Sequence, residues 1–237
     1  MRLDNIVFPL RIHTRSQPET VVRATGPSPK DALAFRQHGE ELTIQGKSAV
    51  TQTNSQGNLS VTTTYGSIRQ TVVGENAKGS IEIGGIPLAN KSAHDTSTRL
   101  ELELPKGTSI AIVGTCHLVE IDATHGPLDV DINGACDLKA GTMGAVNVRV
   151  DGACTVDIAS AAHQLTINAQ GASDIQVRGG EVETLQIELS GSGDVVFGGV
   201  ARKVRASLQG VGNVTVHKSL TDPDIKNDGV GDVTIGR

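Results

Sequence analysis

A short glycine-headed unit that returns every 18 to 20 residues constrains this chain more than any other feature. It reads Gly, a small or β-branched residue, a small residue, a polar residue and an aliphatic. It starts at Gly114, Gly134, Gly152, Gly171, Gly191, Gly210 and Gly229, at intervals of 20, 18, 19, 20, 19 and 19 residues. A unit this short cannot bury a core by itself, so repetition at this period predicts a solenoid whose coils pack on one another.

The aliphatic after each Gly is Leu118, Leu138, Val156, Ile175, Val195, Val214 and Val233. Before the Gly runs an alternating triplet: Leu128-Val130-Ile132, Val146-Val148-Val150, Leu165-Ile167-Ala169, Leu185-Ile187-Leu189 and Val204-Ala206-Leu208. Each triplet ends two residues before a repeat Gly, so parity is preserved from coil to coil. Alternation of this kind is what strands with one buried face require. The reading is therefore all-β, a single-stranded parallel β-helix with 18–20-residue coils over 106–237, preceded by an N-terminal β-rich capping region. Each coil holds two strands meeting at a Gly corner, plus a looser connecting stretch.

The first 105 residues are less periodic. Ile6-Phe8-Leu10-Ile12, Thr20–Ala24, Glu41–Ile44 and Leu100–Leu104 read as strands, and Asp31–Gln37 as a short helical turn. A polar insertion occupies about 47–91, rich in Ser, Thr, Gln, Asn and Gly. The whole is read as one continuous structural domain.

Parity puts the third position of the unit inward. Cys116, Cys136 and Cys154 occupy it in successive coils, and Ser173 and Gly193 follow. The thiols are expected to be reduced, apolar filler in a buried column rather than a redox or metal site. Cys116 fits less well, because Glu120 then falls on an inward position. The fourth position faces outward and carries Asp174, Asp194, Asn213 and Asp232 in the last four coils. A second outward column precedes the Gly: Asn133, Asp151, Gln170, Ser190, Gln209 and Asp228. Stacked carboxylates invite a Ca²⁺ reading, but the G-G-x-G-x-D spacing of calcium rolls is missing, so no metal is expected. Asp and Asn at a tight corner more often bond the backbone.

Charge and motif narrow the function. A net charge of -5 argues against a nucleic-acid partner, and no apolar run reaches the length of a transmembrane segment. No stretch of signal-peptide length precedes Arg11 and His13, which leaves the compartment open. The seven histidines show no HxH or HExxH spacing, and the Gly-x-Gly corners lack the Lys-Ser/Thr of a phosphate loop. With no Trp and Phe197 as the one aromatic after Gly114, aromatic platforms for a sugar-processing groove are missing. A carbohydrate-active enzyme is thus the least favoured reading, and no catalytic residue or cofactor is assigned.

Three features carry a family resemblance: the strand ending Gly39-Glu40-Glu41-Leu42-Thr43-Ile44, the Leu100–Lys106 strand closing in Pro-Lys, and the repeated Gly-Ser-Gly-Asp-Val and Gly-Val-Gly-Asp-Val units. Together they resemble the bacterial putative auto-transporter adhesin, head GIN domain family. The resemblance implies a β-helix, a role in adhesion, a cell-envelope or extracellular location, and no established catalytic residues. The expected function is a binding module for a protein or polysaccharide surface, with the Asp174, Asp194, Asn213 and Asp232 column as its candidate site. The alternative is a scaffold in which copies of the chain associate through a solenoid end, along Asp232, Val233, Thr234 and Ile235.

Overall fold

The period-2 triplets and the aliphatics after each Gly form strands that stack in parallel. The structure is a computed structural model and describes residues 1–6, 9–17, 20–25, 33–38, 41–46, 49–53, 59–63, 71–74, 81–83, 86–88 and 99–237. Among the described residues there is no helix. The chain starts with β1 (Arg2–Asp4), β2 (Leu10–Arg15), β3 (Val21–Thr25), β4 (Leu33–His38) and β5 (Glu41–Gly46). β6 (Ala49–Thr53), β7 (Leu59–Thr63) and β8 (Thr71–Gly74) form an antiparallel sheet, and β9 (Ile81–Ile83) pairs with β10 (Ile86–Leu88).

The main stack continues with β11 (Arg99–Pro105), β12 (Ile110–Gly114), β13 (Leu118–Ile121), β14 (Leu128–Ile132), β15 (Ala135–Thr142) and β16 (Val146–Val150). β17 (Ala153–Ala169), β18 (Ala172–Val177), β19 (Gly180–Leu189), β20 (Val195–Leu208), β21 (Val214–Ser219), β22 (Asp224–Asn227) and β23 (Val233–Ile235) follow. One face is built by β12, β14, β16, the end of β17, β19, the end of β20 and β22. The other is built by β13, β15, the start of β17, β18, the start of β20, β21 and β23. The chain is a parallel β-solenoid whose rungs are the predicted coils.

The core follows the predicted parity. Val148, Ile167 and Ile187 pair rung to rung and are each 0% exposed. Burying one such side chain contributes about 1.5–3 kcal/mol, which is why the alternation holds register so strongly.

Local register departs from the sequence reading in the first coil. Val119, not Leu118, pairs with Leu138 and is fully buried. One extra residue sits between Cys116 and Val119, which returns Glu120 to the outside, 3.5 Å from Arg11. A second extra residue, Glu183, lies opposite the shift between His163 and Gln164, where the interval also reaches 20. Bulges absorb the drift in repeat length without turning the core outward.

The segment read as a helical turn over Asp31–Gln37 is strand β4 from Leu33 onward, antiparallel to β5 with Phe35 opposite Ile44. Pairing across the hairpin overrides local propensity there. Of the Ile6–Ile12 strand, the part from Leu10 onward is extended, and Val7 and Phe8 lie outside the described residues.

β1 and β2 do not lie beside their sequence neighbours. β1 sits between β5 and β12, with Leu3 opposite both Ile44 and Ile112. β2 sits between β11 and β13, with Leu10 opposite both Leu100 and Val119. The start of the chain is thus one rung of the stack, inserted between strands that come later. β3 and β4 then lie antiparallel along β11 and β5.

Candidate functional site

Each rung turns at the Gly corner, and the backbone conformation there positions the outward column. Gly193, Gly212 and Gly231 have φ of 129°, 147° and 135°, a region that L side chains rarely enter. A Cβ at Gly212 would collide with the Gly193 carbonyl oxygen one rung below. The corner is therefore tight, and Asp194 and Asn213, the residues after two of these glycines, reach the backbone of the next rung.

Asp174, Asp194, Asn213 and Asp232 are all exposed and form one ladder. The Asp174 Oδ1 accepts the backbone N–H of Asp194 at 3.2 Å. Asp194 Oδ1 accepts the N–H of Asn213 at 2.8 Å, and the Asn213 side-chain Oδ1 accepts the N–H of Asp232 at 3.2 Å. These side chains bond backbone across rungs, so part of their acceptor capacity is committed. Among the described residues no group of three or more His, Cys, Asp or Glu is placed to hold a metal ion.

Beside this corner, on the face of β19 and the end of β20, lies a cleft of about 320 Å³. Asn168, Gln170, Glu188, Ser190, Ser207 and Gln209 line it, with Leu189 at its floor. Its edges are cross-linked: Gln170 Nε2 donates to Asn168 Oδ1 at 3.2 Å, and Asn168 Nδ2 to Glu188 Oε2 at 3.1 Å. Gln186 Nε2 donates to the other Glu188 oxygen at 3.0 Å. Gln170, Ser190 and Gln209 belong to the second outward column read in the sequence. Asn168, Glu188 and Ser207 were missed, although they stand two residues earlier on the same outward parity.

Other polar groups are scattered. His13 Nδ1 lies 3.0 Å from Asp122 Oδ2, both exposed. His163, at a φ of 68° beside a bulge, lines a second cleft of about 430 Å³ with Glu181, Glu183, Arg202 and Lys218. Glu183 and Arg202 are paired across it at 2.6 Å.

The cysteines correct one expectation. All three point inward at 4–7% exposure, and Cys136 is in register with Cys154. Cys116 and Cys136, however, are joined by a disulfide rather than reduced. Parallel rungs bring their Cα atoms to 4.8 Å, within bridging range. Cys154 remains a free, buried thiol; burial pushes its pKa up, and a hydrogen bond from backbone opposes this. Ser173, next in the column, is buried with its hydroxyl unpartnered.

The family model for the putative auto-transporter adhesin, head GIN domain, matches residues 10–219. A putative adhesin from Bacteroides fragilis NCTC 9343, known from a crystal structure, is 13% identical, with a TM-score of 0.55. The match covers 98% of this chain and 90% of that one, and at this identity it speaks for the fold. No curated protein matches the sequence. Among the described residues no helix is long and apolar enough to cross a membrane.

Proposed function

Because the chain belongs to the putative auto-transporter adhesin, head GIN domain family, we propose that it is a non-catalytic binding module that holds a neutral, hydroxyl-rich polysaccharide along one lateral face. The observation that carries this reading is the cleft lined by Asn168, Gln170, Glu188, Ser190, Ser207 and Gln209. Amides and hydroxyls both donate and accept, which suits vicinal hydroxyls of a sugar. They recur at the rung spacing of about 4.8 Å, close to the length of one pyranose unit. A net charge of -5 and Glu188 within the cleft disfavour an acidic polymer. The Asp174–Asp232 column is the weaker candidate for the contact, because it is mostly carboxylate, and one oxygen each of Asp174, Asp194 and Asn213 already accepts a backbone N–H.

The test is retention on immobilised neutral and acidic polysaccharides, comparing the native chain with Ser190→Trp, which fills the cleft from an exposed position. Selective retention on a neutral polymer, lost in the variant with its thermal midpoint unchanged, supports the reading. Retention that survives Ser190→Trp moves the site elsewhere. Release of shortened sugars during incubation contradicts a non-catalytic module.

A further inference from the structure

Among the described residues, β22 pairs with β20 and β23 pairs with β21, each on one side only. β22 differs from the strands beneath it. Asp224, Ile225, Lys226 and Asn227 are all exposed, whereas β14 and β16 bury alternate residues at the same level of the face. Exposed apolar side chains gather here: Ile225 at 44%, Leu220 at 57% and Val230 at 70%.

The directions of the edge groups follow from the ladder. In a parallel pair, alternate residues turn both N–H and C=O toward the neighbouring strand. Asp228 donates its N–H to the Leu208 carbonyl at 2.8 Å, so Asp224 and Lys226, of the same parity, also face the stack. Ile225 and Asn227 turn their backbone groups to the open edge. Side chains alternate independently of this: Ile225 stands opposite inward Ala206, so Asp224 and Lys226 point outward.

We propose that this end of the solenoid docks on the same end of a second copy, with β22 antiparallel to its counterpart about Ile225. In that register the two Ile225 residues exchange both N–H···O=C bonds, the hydrogen-bonded pair of an antiparallel ladder. Each Asn227 N–H meets the carbonyl of Pro223 in the other copy, and Pro223 loses nothing by having no N–H to give. On the outer side Asp224 stands opposite Lys226 of the second copy, twice by symmetry. Opposite charges in directly facing positions favour this register, and like charges oppose any shift that aligns Asp224 with Asp224. Antiparallel pairing also brings the corner bearing Val230 against the corner bearing Leu220. The sequence Asp224-Ile225-Lys226 is thus complementary to itself in one orientation only. A contact of this kind is isologous and closes at two copies. It presents the lateral cleft twice on one particle, which raises avidity for a repeating polymer. The dimer stands whether or not the cleft binds sugar.

Sedimentation velocity over a wide concentration range tests it, on the native chain, Lys226→Asp, and the double variant Asp224→Lys/Lys226→Asp. The expected result is a monomer–dimer equilibrium. Lys226→Asp weakens it roughly tenfold, since two attractive pairs become repulsive, and the double swap restores it. Both residues are exposed, and the pairs the swaps give up, Asp224 with Arg205 and Lys226 with Asp228, each at 3.0 Å, are surface contacts that contribute little, so circular dichroism should show unchanged folding. A strict monomer, a dimer indifferent to both swaps, or an open-ended polymer overturns the proposal.

Discussion

Asn213 makes two hydrogen bonds to one oxygen: its backbone N–H and its side-chain Nδ2 both donate to Asp194 Oδ1, at 2.8 and 3.0 Å. The same side chain accepts the N–H of Asp232 on the next rung. This residue ties three consecutive corners together. Asn213→Ala should therefore lower stability by about 1 kcal/mol, read as a shift in the urea midpoint at constant slope. Asn213→Asp keeps the acceptor but loses the Nδ2 donor and places a like charge beside Asp194. It should cost at least as much at neutral pH. If both variants match the native chain, the ladder is ornamental.

At the corner itself, Gly212→Ala should be far more damaging than its size suggests. The backbone φ of 147° and the Gly193 carbonyl beneath leave no room for a methyl group. A loss of about 2–4 kcal/mol is expected from thermal or urea unfolding. A variant within half a kcal/mol of native, a roughly surface-like effect, would mean the corner opens easily.

The cysteines make a prediction in two parts. Unfolding without reductant should expose one thiol to alkylation, Cys154, and three after reduction. Reduction should also lower stability by about 3 kcal/mol, the loop-closure value for a bridge of this span.

The second part concerns alkaline pH. Burial raises the Cys154 thiol in the folded state above its unfolded value. The linked stability is present below the ordinary thiol pKa of about 8.5 and is lost as pH rises through the folded value. The native chain should therefore lose stability more steeply than Cys154→Ala between the unfolded and the folded value. Parallel curves for the two proteins would contradict this.

How much of this was legible in the sequence depends on distance along the chain. The stack from Gly114 onward could be read because Val148, Ile167 and Ile187 repeat at a near-constant interval and every rung contacts the next. The rung of β1 and β2 could not, because Leu3 packs on Ile112 and Ile44, which share no period with it. The extra residue before Val119 left a sign, Glu120 on an inward parity, but its resolution as a bulge needed the pairing with Lys139. The bridge between Cys116 and Cys136 was missed for a different reason: stacked rungs bring Cα atoms within disulfide range, but three inward thiols with no ligand set read equally as small apolar filler. As for the cleft, Gln170, Ser190 and Gln209 stood out as a column. Their partners Asn168, Glu188 and Ser207 did not, since a groove forms between columns.

If sugar hydroxyls meet amides in the lateral cleft, side-chain amide resonances report on that contact directly. A ¹⁵N-labelled sample titrated with a neutral oligosaccharide from the retained polymer should shift the NH₂ signals of Asn168, Gln170 and Gln209. The Asn213 signal, held by Asp194 around the corner, should stay in place. Shifts confined to Asn213 and its neighbours, or no shift at any of the four, would contradict the proposed function.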